Sequence, residues 1–148
     1  MSRFSNNKLG FTLLELLLTI GLMGALAGIS LPIYRNLMKK NDLDIAATTV
    51  ALSLRRAQLL SQAVDGDTTW GVKIQSGSIV VFKGTTYAAR DTAYDESFDL
   101  QSSISPSGTT EYVFSKFSGN LSATATATLS SESDSRNITV TTKGRVSY

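Results

Sequence analysis

Residues 11–33 read FTLLELLLTIGLMGALAGISLPI, and the rest of the chain takes its meaning from this stretch. It holds 23 residues and a single charge, Glu15. At about 1.5 Å per residue a helix of that length spans roughly 34 Å, enough to cross a hydrocarbon core of about 30 Å. A transmembrane helix is the expectation. A buried core helix fits poorly, because the 84 residues from Asp65 onward are too rich in Ser and Thr to surround so apolar a rod. A cleaved secretory signal is the closer rival, since Arg3 and Lys8 form a short basic leader. Against it, the run is longer than a usual signal core and carries a carboxylate. Arg3 and Lys8 precede the run and Arg35, Lys39 and Lys40 follow it, so the positive-inside count leaves orientation open.

Outward from this segment, composition divides the chain. Of 18 leucines, 15 precede Val64, whereas the residues from Asp65 onward hold three leucines against ten Val and Ile and 28 Ser and Thr. Leucine favours helices, and Val, Ile and Thr favour half-buried strands, so the boundary falls at the turn-like Asp65-Gly66-Asp67. A length of 148 residues suits one folded unit. With no cysteine and no histidine, disulfides, thiolate nucleophiles, Cys-ligated zinc and the commonest general base are all excluded. No paired-carboxylate motif, nucleophile elbow or phosphate loop is present, so neither an enzyme nor a cofactor is expected.

Between Tyr34 and Val64 a second helical pattern continues the first. Leu43, Ala46, Ala47, Val50, Leu54, Ala57, Leu60 and Val64 recur at three- and four-residue steps, with Asp42, Asp44, Arg55, Gln58 and Gln62 on the other faces. Beyond the boundary, Trp70–Gln75 and Ser78–Phe82 read as a hairpin joined at Gln75-Ser76-Gly77. Further strands are expected at 97–101, 111–117, 123–129 and 137–142, with Val146 and Tyr148 ending the chain. Alternating Ala and Thr at 123–128 suggest an edge strand. The economical fold is α+β: a long N-terminal helix, transmembrane in one half and amphipathic in the other, packed on one antiparallel sheet or two small ones.

The junction Lys8-Leu9-Gly10-Phe11-Thr12-Leu13-Leu14-Glu15 resembles the class III signal of type IV prepilins and of the pseudopilins of type II secretion. The resemblance implies a lollipop-shaped filament subunit with a leader at 1–10, an assembly helix at 11–33, a stem at 34–64 and a β-rich head at 65–148. It implies cleavage after Gly10 by a prepilin peptidase, methylation of Phe11, and use of Glu15 in assembly. It further implies Gly24 to Pro32 as a stretch that loosens in filaments. Looser likenesses at Ser53–Gln58, Trp70-Gly71-Val72, Phe117-Ser118-Gly119, Arg136–Val140 and Lys143–Val146 point to minor pilins and H-type minor pseudopilins. Implied partners are other pilin subunits, the peptidase, an assembly ATPase and an inner-membrane platform. The implied location is the inner membrane, N-terminus in and head outside, and then an extracytoplasmic filament. An alternative is a tip subunit whose head binds DNA, a surface or a secreted protein.

Physical chemistry gives Glu15 two readings. A carboxylate near the bilayer centre costs about 2.5 to 3.5 kcal/mol on insertion scales and normally marks a function. Cleavage would leave a cationic amine on Phe11, about 6 Å away along the helix axis, or closer on a staggered neighbour. The other reading is that Glu15, one turn from the membrane edge, snorkels to the headgroups. Gly21, Gly24 and Gly28 suit close helix packing in lipid, or reflect the general abundance of glycine there. Pro32 should kink or loosen the preceding turn.

In the head, Asp91, Asp95, Glu96 and Asp99 form an acidic cluster with weak calcium-binding character, read more simply as a solvated loop. Arg136, Lys143 and Arg145 could touch DNA phosphates near Tyr148. The head from Asp65 onward nevertheless holds seven basic against nine acidic residues, which argues against a dominant basic field.

Overall fold

A computed structural model describes residues 10–132 and 134–148, with the side chains of 29–37 and 39 excepted. The fold is α+β. Helix α1 (Leu13–Gln62) is followed by a single 3-10 turn (Asp65–Asp67) and by eight strands: β1 (Trp70–Gln75), β2 (Ser78–Lys83), β3 (Asp91–Asp99), β4 (Ser105–Gly108), β5 (Glu111–Phe114), β6 (Ala125–Ser131), β7 (Asp134–Val140) and β8 (Val146–Ser147). The chain divides into two compact units, Met1–Met38 and Lys39–Tyr148, and α1 contributes to both.

In the second unit the strands form two antiparallel four-stranded sheets, ordered β3-β2-β1-β5 and β4-β6-β7-β8. The helix stripe read from the sequence is the one that is buried: Leu43, Ala46, Ala47, Val50, Leu54 and Ala57 lie in the core. They share one cluster with Trp70, Val72, Ile74, Ile79, Val81, Tyr112 and Phe114 of the first sheet and Ala127, Leu129, Ile138 and Val140 of the second. Side chains two apart on a strand share a face, so each sheet turns one face toward the helix. The helix end is fastened by Ser61, fully buried, whose hydroxyl accepts from the Trp70 N–H (2.8 Å) and reaches the Phe114 carbonyl (3.1 Å).

On the other face of the first sheet, Gly71 pairs with Phe82. A Cβ on Gly71 would lie 2.5 Å from the Phe82 ring and 2.5 Å from the Tyr112 carbonyl oxygen. The glycine thus makes room for a buried aromatic ring, which packs edge-on against Tyr87 at 5.5 Å.

Several sequence expectations are corrected. The strand expected at 97–101 is β3, Asp91–Asp99, so the acidic cluster is a strand and not a loop. Strand β4, Ser105-Pro106-Ser107-Gly108, was not foreseen, because it is short and polar. The Ala/Thr repeat is not an edge: β6 lies between β4 and β7, where Ala127 and Leu129 are fully buried. Alternation there produces one small apolar face, which an interior strand uses as readily as an edge. The Asn137–Thr142 strand begins earlier, at Asp134, and ends at Val140. The strand expected at 111–117 ends at Phe114, where the chain turns.

Candidate functional site

The residues singled out at the N-terminus meet at the start of α1. Thr12 precedes the helix; its Oγ1 accepts from the Glu15 N–H (3.2 Å) and its carbonyl from the Leu16 N–H (3.1 Å). Thr12 is therefore the N-cap and Glu15 the third helical residue, the Thr-x-x-Glu spacing of a capping box. A carboxylate in the first turn also faces the positive end of the helix dipole. The sequence carries this signal, a hydroxyl residue three before a Glu and just ahead of an apolar run, and neither the assembly reading nor the snorkelling reading of Glu15 uses it. Gly10 and Phe11 stand outside the helix and are exposed, so the bond between them lies on accessible, non-helical backbone.

From Phe11 to Leu26 the ten large apolar side chains are all at least 54% exposed. A β-carbon at Gly21, Gly24 or Gly28 would meet open space. Each glycine costs a helix about 1 kcal/mol relative to alanine, and nothing among the described residues requires glycine at these positions. Pro32 lies in α1 by its backbone, and the helix is assigned through it; its side chain is outside the described residues. Among the described residues no helix is long and apolar enough to cross a membrane. Residues 29–33 of the apolar run fall among the undescribed side chains, as the whole leader 1–9 falls outside the described chain.

The acidic residues of β3 do not converge. Asp95 takes the Arg90 guanidinium (2.8 Å), and Glu96 is paired in a fork with Arg56 of α1, whose Nη2 donates to Oε1 at 2.6 Å. Asp91 accepts from the Ala93 N–H, and Asp99 is exposed. Among the described residues no three carboxylates gather in a way that could hold a cation. Hydrogen bonding to Glu96, and then its charge, raises the Arg56 pKa; Asp95 does the same for Arg90.

The three basic residues near the C-terminus also part company. Arg136 is engaged by Asp44 of α1 (2.8 Å) and by Asp134 (3.2 Å), so it ties the helix to β7. Asp134 is held below the usual carboxylate range, first by the Ser135 N–H and then by Arg136. Lys143 and Arg145 are exposed at the β7–β8 connection, where the Lys143 carbonyl accepts from Gln58 (3.2 Å). Beside them, Gln58 also donates to the Gly119 carbonyl and Gln62 to that of Ser118, anchoring the loop that carries exposed Phe117 at φ 63°.

With this geometry in view, comparison with known proteins is specific at one end of the chain. The family model of the prokaryotic N-terminal methylation motif matches residues 5–31. No curated protein and no solved structure matches the chain.

Proposed function

We propose, for a chain whose residues 5–31 carry the methylation motif of type IV pilin class III signals, that it is a structural subunit of a type IV pilus or a type II secretion pseudopilus. It is stored in the inner membrane with its N-terminus inside, spanning by residues 11–33. It is cut after Gly10, methylated at Phe11 and polymerised through α1. Its partners are other pilin subunits, the peptidase, the membrane platform and the assembly ATPase. Its role is structural and not catalytic, and the loop motifs around Phe117 and Lys143 favour a minor subunit.

The observation that carries this reading is the state of the segment inside the motif. Ten exposed large apolar residues in succession need lipid or protein to cover them, since burying a Leu-sized side chain stabilises by about 1.5 to 3 kcal/mol. Three helix glycines with open space beside them supply close-approach points for a neighbouring helix. Glu15 serves two states on this reading. Before assembly its backbone N–H donates to the Thr12 hydroxyl and its carboxylate stands at the positive end of the helix dipole; within the filament its carboxylate meets the methylated amine of Phe11 on a neighbouring subunit.

Mass spectrometry of the protein from its native host should find a mature N-terminus at monomethylated Phe11, and an intact Met1 leader would overturn the proposal. Glu15→Val should insert in the membrane as the unsubstituted chain does and yield no filaments.

A further inference from the structure

The two sheets end in four edge strands, β3, β5, β4 and β8. Three are guarded in ordinary ways: β3 carries four carboxylates and a register shift, β4 holds Pro106, and β8 is two residues long. The fourth, β5, has one charge, Glu111, whose carboxylate accepts from the Tyr87 N–H (2.9 Å) and stands 3.5 Å from the Lys73 ammonium. This edge opens on a cavity of about 480 Å³, whose other walls include Thr85, Thr86, Ser122, Ala123, Thr124 and Ala125. That volume falls in the range of about 300 to 1,000 Å³ usual for ligand pockets.

The backbone register shows how the cavity arises. The Thr109 N–H donates to the Thr126 carbonyl and the Ser115 N–H to the Asn120 carbonyl, both at 2.9 Å. Both bonds belong to one antiparallel register, in which 111 would face 124 and 113 would face 122. Between them the ladder parts. Among the described residues no backbone hydrogen bond joins 110–114 to 121–125, and the Leu121 N–H donates instead to the Thr142 carbonyl (2.8 Å). On β5 the Thr110 carbonyl accepts from the Ile74 N–H, so residues 110, 112 and 114 bond β1. By alternation the N–H and C=O of Glu111 and Val113 turn away from β1 into the gap, where no group among the described residues meets them. Two donors and two acceptors at the two-residue repeat of a strand match the main chain of an extended peptide, which presents its own N–H and C=O at the same repeat.

We propose that this parted ladder is a binding slot for an extended, uncharged peptide segment of another protein, about three residues long, which adds to β5 by main-chain hydrogen bonds and fills the gap between the sheets. The bonds at both ends of the slot limit its length: the five residues between them span about 17 Å at 3.4 Å each, which admits a chain end or a turned tip and not a through-running strand. The small, hydroxylated walls leave room for Val, Thr or Ser side chains. A charged side chain finds no partner there, because Glu111 is the one ionisable residue in the lining and is already engaged. The slot lies wholly in the second unit and is independent of the filament reading.

The probe is the fluorescently labelled, capped peptide acetyl-Thr-Val-Thr-Val-Thr-amide, added to the full chain in detergent. Binding should saturate at micromolar to millimolar peptide, and the same peptide N-methylated at both valines should bind about tenfold more weakly or worse. Val113→Pro removes one gap-facing N–H and keeps the bonds to β1, since proline is tolerated on the open side of an edge strand. Ala123→Trp fills the gap from the opposite wall, outside any strand, and keeps the test decisive should the proline loosen β5. Each should weaken binding by about tenfold. In the free chain the Glu111 and Val113 amides should exchange rapidly with solvent and slow when the peptide is bound, while Tyr112 stays protected throughout. No saturable binding at millimolar peptide, equal binding of the N-methylated form, or Glu111 and Val113 amides already protected in the free chain would overturn the slot, and each of these results leaves the filament reading standing.

Discussion

Ser61 is a small residue with a large share of the fold in its hands. Its hydroxyl stands fully buried between β1 and β5, accepting from the Trp70 N–H, while its own carbonyl accepts from the Phe117 N–H at 3.1 Å. Ser61→Ala keeps the volume nearly unchanged and strips the Trp70 N–H of that acceptor, so it should destabilise the protein by about 1 to 3 kcal/mol in chemical denaturation. A loss under half a kcal/mol would show that Trp70 finds another acceptor. Tyr112 makes the opposite case. It is fully buried, and its hydroxyl approaches the Ala127 backbone without forming a well-shaped hydrogen bond. Burial raises its pKa from 10.0 to about 12. A phenol whose folded pKa is raised contributes its stability in full below pH 10 and loses it as pH climbs toward 12, a swing of about 3 kcal/mol for two units. The melting temperature of the full chain in detergent should fall steeply between those limits, and Tyr112→Phe should flatten that fall while changing little at neutral pH. Sequence reasoning could not single out either residue. Ser61 is polar in an apolar stripe, and its partners, Trp70 and Phe114, become neighbours only once the sheet forms.

Among the elements, α1 and the β1–β2 hairpin were readable in advance, because each shows a clean period and a strong turn signal. The hairpin register also gives a packing reason for Gly71, which the sequence marks only within the loose Trp70-Gly71-Val72 likeness. Gly71 faces Phe82 across the ladder, and with a Cβ 2.5 Å from both ring and backbone oxygen, Gly71→Ala must displace one of them. Overpacking of this kind costs about 1 to 3 kcal/mol, and a thermal melt that moves by less than experimental scatter would contradict the packing described. The elements that sequence misread are those whose stability comes from neighbours. Strand β3 carries four carboxylates and looks solvated, yet Arg56 and Arg90 neutralise two of them and β2 supplies its ladder. Strand β4 has a proline and a glycine in four residues and exists by pairing with β6. No local propensity announces such strands.

At the scale of the whole molecule, the N-terminal segment was legible as a motif, and Gly10, Phe11 and Glu15 all fall within its matched residues 5–31. The head was legible only in class. Its two sheets follow from which strands pair, and Ser/Thr-rich sequence constrains pairing weakly. Two of the candidate head residues show partners that sequence does not reveal. Arg136 and Glu96, each plausible as a ligand-binding group in isolation, are spent on bonds to Asp44 and Arg56. Those bonds have a mechanical meaning. The head portion of α1 is attached at four successive levels: Asp44 to β7, Arg56 to β3, Gln58 to the loops at Gly119 and Lys143, and Ser61 to β1 and β5. A pull delivered along that helix loads all four together, in shear, instead of peeling them one after another. A head built this way holds its shape under tension until the whole set of attachments yields at once, like a bolt held by several threads.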